Sequence, residues 1–188
     1  MRNTKDWLNR MLAGAFLCLA LSDLLWNLYQ TILHEYPMDF TASDISWIGY
    51  YLFLLSINFS LTAKWTAEDK RVTRHFLPLS LIAPVLATLF HLSFYLLHGD
   101  LIINAIYCAA FAPLAYTAFH LFLASGGRTS IQPRLHRYHG MVLLFLASEE
   151  IMYLLSALDF YDVSILFDIL LTLSALLIVN AAKGGAGE

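Results

Sequence analysis

The chain has 188 residues, of which 59% are hydrophobic and 13% are charged, and its mean hydropathy is +0.64. Soluble domains contain about 45–50% apolar and about 25% charged residues. A soluble domain of this length keeps much of its surface exposed and could not bury so many apolar side chains. Composition therefore excludes an ordinary soluble protein and predicts one that lies in a lipid bilayer. The net charge of -3, without a basic stripe or an aromatic-basic motif, indicates no nucleic-acid binding.

Six stretches are apolar enough to form membrane-spanning helices, which need about 20 mostly apolar residues. In chain order they cover roughly residues 11–33, 45–63, 76–97, 101–124, 139–158 and 163–182. The first is too long for a cleaved signal peptide, because its apolar character continues to Leu33. Pro84 and Pro113 fall in mid-span and predict kinks. The sequence thus predicts an all-α, polytopic membrane protein with a single six-helix transmembrane domain over 1–183 and a flexible tail at 184–188.

Lys and Arg are distributed unevenly among the segments outside these stretches. They occur at the N-terminus, after the second and fourth stretches and in the tail, at Arg2, Lys5, Arg10, Lys64, Lys70, Arg71, Arg74, Arg128, Arg134, Arg137 and Lys183. Because basic loops remain in the cytoplasm, we expect both termini there. We also expect three helical hairpins in series, since each outer turn leads into its next helix with an aspartate, at Asp44, Asp100 and Asp162.

Ionisable side chains occur inside the predicted spans, although each costs about 2.5–3.5 kcal/mol at the bilayer centre. Adjacent Glu149 and Glu150 stand in the apolar run "SEEIMYLLSAL", and Asp23, His91 and Asp168 lie in other spans. Such residues usually face the bundle interior and mark a functional site. Because the spans contain these four carboxylates and no Lys or Arg, the acids must be protonated, hydrated or neutralised by a cation from outside.

Helical spacing extends the acids into polar and aromatic stripes, which we expect to line a cavity open to the outer face. One stripe of the second span contains Asp44, Trp47 and Tyr51, and one of the fourth contains Asn104 and Tyr107. The expected ligand-binding residues are Asp23, Trp26, Asn27, Trp47, His91, Tyr95, Asn104, Glu149, Glu150, Tyr153 and Asp168, and the candidate metal ligands are His91, Glu149 and Asp168. A structural interpretation stays open: protonated acids can simply hydrogen-bond between helices, at about 0.6 kcal/mol each.

The stretch "SDLLWNLYQ…SDISWIGYYLFLL", from Ser22 to Leu55, resembles the first hairpin of the polytopic N-terminal membrane sensory modules of bacterial diguanylate cyclases and histidine kinases. The resemblance implies a sensor of a ligand or of the membrane state, in the bacterial inner membrane. Within this sequence no catalytic or kinase domain follows Lys183, so we expect the module to act through a cytoplasmic partner protein or as a homodimer.

Three functions are compatible with these patterns. The first is a ligand-binding sensory or accessory module whose outward-facing acidic, aromatic-lined cavity takes a cation or an amine-bearing small molecule. The second is a small dimeric transporter coupled to protonation of Asp23 or Glu149. The third, a membrane-embedded metal-dependent enzyme, has a thin ligand set, because His91 is the one histidine among several acids. No motif in the sequence identifies a cofactor or a catalytic residue.

Overall fold

The computed structural model describes residues 4–34, 40–68, 77–98, 101–125, 133–158 and 160–184. This part of the chain is all α-helical, as predicted. Six long helices and two short segments follow one another in these residues. They are α1 (Thr4–Leu28), a π-helical turn (Tyr29–Leu33), α2 (Ala42–Glu68), the short α3 (Leu77–Ser80), α4 (Ile82–His98), α5 (Leu101–Ser125), α6 (Pro133–Ala157) and α7 (Tyr161–Gly184). The predicted tail at 184–188 lies, apart from Gly184, outside the described residues.

Four of the helical segments are long and apolar enough to cross a bilayer. They cover Trp7–Leu33, Ile102–Ser125, Leu135–Leu155 and Ile165–Ala182, and a shorter apolar segment covers Pro78–Phe90. Large apolar side chains on these helices point away from the bundle; Leu17 is 67% exposed and Leu166 is 64% exposed. Extended apolar surfaces of this kind suit contact with lipid. The composition-based prediction of a membrane protein therefore agrees with the fold at this level.

Neighbours in the sequence form the most extensive helix contacts. Within the described chain, α1 packs on α2, α4 packs on α5, and α6 packs on α7, while α5 also contacts α2 and α6. The shared core contains Tyr50 and Leu54 from α2, Leu114 from α5, Phe145 from α6 and Ile178 from α7, each of them fully buried. Because α5 touches both α2 and α6, it holds these two helices in the positions where their polar side chains meet.

Small residues bring α1 and α2 close together at two places. Ser22 and Ser43 hydrogen-bond reciprocally: each hydroxyl lies within 3.0 Å of the other residue's carbonyl oxygen, and the two hydroxyl oxygens are 2.9 Å apart. Near the other end, a Cβ atom on Gly14 would lie 2.7 Å from the ring of Phe53, so the space is already filled. Small and hydroxyl-bearing residues are the usual means by which helices associate in membranes.

The helix of the third predicted span is interrupted between Pro78 and Pro84. Leu81 forms a turn between α3 and α4, three residues before Pro84. Proline has no backbone N–H, so Pro84 cannot donate to the carbonyl of Ser80 as a regular helix requires. The Ser80 hydroxyl instead lies 2.9 Å from Nδ1 of His120, which ties the interruption to α5. Pro113, by contrast, lies inside α5, which continues through it.

Candidate functional site

The Glu149 carboxylate lies between α2 and α6, where two aromatic side chains donate to it. The Trp47 indole N–H is 2.5 Å from Oε1 of Glu149, and the Tyr51 hydroxyl donates to the same oxygen. Trp47 and Tyr51 are one turn apart on α2, so their side chains lie side by side on one face of that helix. Neutral indole and phenol groups therefore hold the acid where the sequence provides no Lys or Arg.

The second oxygen of this carboxylate, Oε2, is buried and has no hydrogen-bond partner among the described residues. Burying an unsatisfied acceptor costs about 1–3 kcal/mol, and more when the group is charged. A buried polar atom that lacks a partner in the fold calls for an explanation, such as a catalytic role or a bound water or ion. The carboxylate thus has one oxygen fixed in position and one oxygen still able to accept a hydrogen bond.

Aromatic rings surround the carboxylate. Phe145 stacks on Trp47 with ring centroids 6.3 Å apart and lies 4.9 Å from the ring of Tyr50. Tyr51 makes edge contacts with Phe111 at 5.8 Å and with Tyr107 at 6.5 Å. We call this group the Glu149 cluster, and its members are Trp47, Tyr50, Tyr51, Tyr107, Phe111, Phe145 and Glu149.

A second acid, Asp44, adjoins the cluster at the start of α2. Its Oδ2 accepts bonds from the backbone N–H and the hydroxyl of Thr41, both at 2.7 Å, which is a capping-box arrangement. Its Oδ1 accepts a bond of 2.7 Å from the hydroxyl of Tyr107 on α5. Asp44 thus accepts a backbone N–H at the start of its helix, as predicted. It also joins α2 to α5 through Tyr107, a contact that sequence spacing did not predict.

Several predicted site residues lie in or near the Glu149 cluster. Trp47 contacts Glu149 directly, and Glu150 is half-buried on the neighbouring face of α6 and interacts electrostatically with Glu149. Tyr153 is 54% exposed and interacts electrostatically with Tyr107. Asn104 is half-buried on α5, one turn before Tyr107 and on the same face. Whether these residues bind a ligand stays a prediction.

Other predicted site residues lie on the outside of the bundle. Asp23, Trp26 and Asn27 on α1 are exposed, and so is Asp168 on α7. Asp23 and Asp168 interact electrostatically with each other, since α1 and α7 touch. The Asn27 amide donates a bond of 2.8 Å to the backbone carbonyl of Asp23, within its own helix. The predicted set therefore falls into one group near the Glu149 cluster and one exposed group near Asp23.

The remaining candidates are His91 and Tyr95, which lie in α4 but whose side chains are outside the described part of the structure. His91 was the histidine in the predicted metal-ligand set with Glu149 and Asp168. Of that set, Glu149 is half-buried with its carboxylate between α2 and α6, and Asp168 is exposed on α7. No group of three or more His, Cys, Asp or Glu side chains suited to a metal ion occurs among the described residues. The metal site stays an untested prediction.

Sequence reasoning did not assign a role to four residues in or near the site. Tyr50 and Phe145 form the inner wall, and Ser22 pairs with Ser43 at the α1–α2 contact. A signal for the serine pair was present, because "SD" occurs at positions 22–23 and again at 43–44. Tyr50 and Phe145 look like ordinary core residues, and only the three-dimensional packing shows that they adjoin an acid.

Comparison of this chain with protein-family models, with curated proteins and with solved structures finds no match. Function must therefore be argued from the geometry. The fold and the site together define an all-α protein with four helices able to cross a membrane and a buried cluster of aromatic side chains around one carboxylate.

Proposed function

We propose that this chain is a six-span sensory or accessory module of the bacterial inner membrane, and that the Glu149 cluster binds a small organic cation or amine. The observation that carries the proposal is that the two oxygens of the Glu149 carboxylate have different surroundings. Trp47 and Tyr51 hold Oε1, while the buried Oε2 has no partner among the described residues. An ammonium group that donates to Oε2 would satisfy this acceptor and neutralise the charge.

The ring system supports an organic cation. Cations are attracted to the faces of Trp, Tyr and Phe, by about 0.5–1 kcal/mol at exposed sites and about 2 kcal/mol when desolvated. Trp47, Tyr51 and Tyr107 supply such rings around Glu149. A hard metal ion instead needs several oxygen ligands, whereas Trp47 and Tyr51 approach the carboxylate as hydrogen-bond donors. The surroundings of Glu149 thus favour an amine over a metal ion.

The six-span arrangement rests on the charge distribution of the sequence and on the helices. Four segments meet both the length and the hydropathy needed to cross a bilayer, and α2 and α4 pack against two of them, α1 and α5. Because Lys and Arg occur in the sequence only before the first, after the second and after the fourth predicted spans and in the tail, we assign both termini to the cytoplasm. In this orientation the Asp44 end of α2, and with it the Glu149 cluster, faces the outside.

A small proton-coupled transporter that works as a dimer is the second candidate. The specific observation in its favour is that further buried polar atoms on α2 and α6, among them the hydroxyls of Tyr50 and Tyr138, have no hydrogen-bond partner among the described residues. Intramembrane acids connected to such groups serve as proton relays. Uptake into proteoliposomes that follows an imposed pH gradient, and that Glu149→Gln abolishes, would favour transport over sensing.

The binding proposal is tested with purified protein in detergent, by following thermal unfolding in the presence of choline, n-butylamine and tetramethylammonium, with sodium chloride at equal ionic strength as the reference. We expect at least one organic cation to raise the melting temperature of the wild type. Glu149→Gln should lose this increase, because glutamine keeps an acceptor for Trp47 and Tyr51 but has no charge. Asp6→Asn, in the charged segment before the first apolar stretch, is the matched control and should keep it.

Two outcomes would overturn the proposal. One is an equal increase in melting temperature for the wild type and for Glu149→Gln, which would place the binding site elsewhere. The other is the absence of any increase above that given by sodium chloride for all three cations.

A further inference from the structure

The hydrogen bonds around Oε1 of Glu149 leave no place there for a further donor. The Trp47 indole N–H lies 2.7 Å from the Tyr51 hydroxyl oxygen and 2.5 Å from Oε1, so two acceptors share it. The Tyr51 hydroxyl gives its one proton to the same Oε1. Because a carboxylate oxygen offers two lone pairs, these two donors use Oε1 fully. A ligand that donates to the acid must therefore donate to Oε2.

Ring packing keeps the two donors in this position. Tyr51 is 1% exposed, and the edge contacts of its ring reach Phe111 at 5.8 Å and Trp47 at 6.4 Å between centroids. The fully buried Phe145 stacks on the indole of Trp47 at 6.3 Å. Neither side chain can turn away from Oε1 without breaking these contacts. The carboxylate is thus held with Oε1 toward its donors, and Oε2 stays the open acceptor.

This arrangement treats two classes of organic cation differently. Primary, secondary and tertiary ammonium ions carry at least one N–H, whereas a quaternary ammonium ion carries none. The rings attract both classes, because the cation–π attraction depends on the charge over the ring face. Oε2, which is buried and has no partner among the described residues, can be satisfied only by an N–H. A quaternary ion would leave this buried acceptor unpaired, which is costly.

We propose that the Glu149 cluster selects amines that carry an N–H over quaternary ammonium ions, and that Oε2 of Glu149 is the atom that determines this specificity. The inference rests on the proposed function and names the ligand class of the same site. A single N–H is sufficient, since a single carboxylate oxygen is open. The number of methyl groups on the nitrogen therefore matters only when the last N–H is lost.

A methylation series tests this selection on the unmodified protein. Isothermal titration calorimetry in detergent at constant ionic strength measures the Kd of n-butylammonium and of its N-methyl, N,N-dimethyl and N,N,N-trimethyl derivatives, which all carry one positive charge. The first two methylations keep an N–H and should change the Kd little. The third removes the last N–H and should weaken binding roughly ten-fold or more, as expected for a buried acceptor left unpaired.

Glu149→Gln places the effect at the carboxylate. In this variant the step between the dimethyl and trimethyl ions should disappear, because the open carboxylate oxygen is gone. Asp6→Asn, before the first apolar stretch, is the matched control and should keep the step. A step that persists in Glu149→Gln would overturn the assignment to Oε2.

The wild-type series also separates failure of the selection from failure of the binding proposal. Equal binding of the dimethyl and trimethyl ions would overturn the selection and leave cation binding intact. A steady loss of affinity with each methyl group would do the same, because it indicates a limit on size. If none of the four ions binds, the selection and the proposed function fail together.

Discussion

Tyr51 and Glu149 stand 98 positions apart in the chain, and the Tyr51 hydroxyl donates a hydrogen bond to the Glu149 carboxylate. Trp47, one turn earlier on α2, donates to the same oxygen. Because neutral groups satisfy this oxygen, the acid needs no basic partner from the chain, and its charge remains available to a cation or a proton. The contact also joins α2 to α6, so the candidate site is at the same time part of what holds the bundle together.

Replacing Tyr51 by phenylalanine should destabilise the protein by about 1–3 kcal/mol, because the buried Glu149 oxygen loses one of its two donors. The ring contacts with Phe111 and Tyr107 are kept in this variant, so the change isolates the hydroxyl. The measurement is equilibrium unfolding in detergent. Tyr29→Phe, in the half-buried first position of the π-helical turn after α1, is the control, and equal stability of the two variants would contradict the bond.

The Asp44–Tyr107 bond should show as a coupling between two substitutions. Asp44→Ala and Tyr107→Phe each remove one side of a 2.7 Å contact between α2 and α5. For groups in direct contact we expect a coupling energy of about 0.5–3 kcal/mol in a double-mutant cycle. The Asp44 substitution also removes the two Thr41 bonds that cap α2, but it does so whether residue 107 is Tyr or Phe. The loss of capping therefore cancels in the cycle, and the coupling energy reports the Asp44–Tyr107 bond. Strict additivity would show that the bond contributes nothing.

The reciprocal Ser22–Ser43 bonds should stabilise the α1–α2 pair. Ser22→Ala and Ser43→Ala should each cost about 0.6 kcal/mol, the average for hydrogen bonds between membrane helices, with an upper limit of about 1.7 kcal/mol. Ser56→Ala is the matched control, because the bond of the Ser56 hydroxyl within the described residues, 2.7 Å to the Leu52 carbonyl, stays inside its own helix. A loss of stability in the control equal to that in Ser22→Ala would mean that the contact between helices is not the cause.

The assignment of both termini to the cytoplasm predicts which segments a membrane-impermeant maleimide reaches. In a background where Cys18 and Cys108 are replaced by alanine, Met38→Cys, between α1 and α2, should react in intact cells. Ser130→Cys, beside the basic residues Arg128 and Arg134, should react only after the membrane is permeabilised. The reverse pattern would invert the orientation, and labelling of both positions in intact cells would contradict the six-span arrangement.

Helix positions were predictable from sequence because each stretch is long, apolar and bounded by polar residues. The same holds for stripes within one helix: Trp47 and Tyr51 were placed on one face of the second span, and both bond Glu149. The proline effect was partly predictable, since the irregularity falls at Leu81, ahead of Pro84, and α5 continues through Pro113.

The pairing of faces between helices was not predictable in the same way. A polar stripe on a helix shows that one side differs from the others, but the direction in which that side points depends on packing with distant parts of the chain. Asp23 and Glu149 both occur in apolar runs and look alike in sequence. In the fold, Asp23 is exposed on α1 whereas Glu149 is bonded in the interior. Tyr50 shows the same limit for an aromatic residue. Its sequence context predicts burial, but burial alone does not indicate that an acid lies beside it.

This difference between the two acids leads to a prediction of opposite stability changes. Asp23→Leu removes an exposed acid beside a second acid, Asp168, and so relieves both like-charge repulsion and the cost of placing a charge in an apolar span. We expect the melting temperature in detergent to stay the same or rise. Glu149→Leu should lower it, since the Tyr51 hydroxyl loses its acceptor, at about 1–3 kcal/mol, while the Trp47 N–H keeps only the Tyr51 hydroxyl oxygen at 2.7 Å.

The two leucine variants control for each other, because each replaces an acid in a predicted span by the same apolar residue. Equal destabilisation by both would show that Asp23 also has an essential contact within the fold. If Asp23→Leu leaves the fold intact but abolishes association with a second copy or another protein in native membranes, then the exposed acid serves that contact. A second helix carrying a basic residue would be the expected counterpart, since intramembrane charges pair with one another.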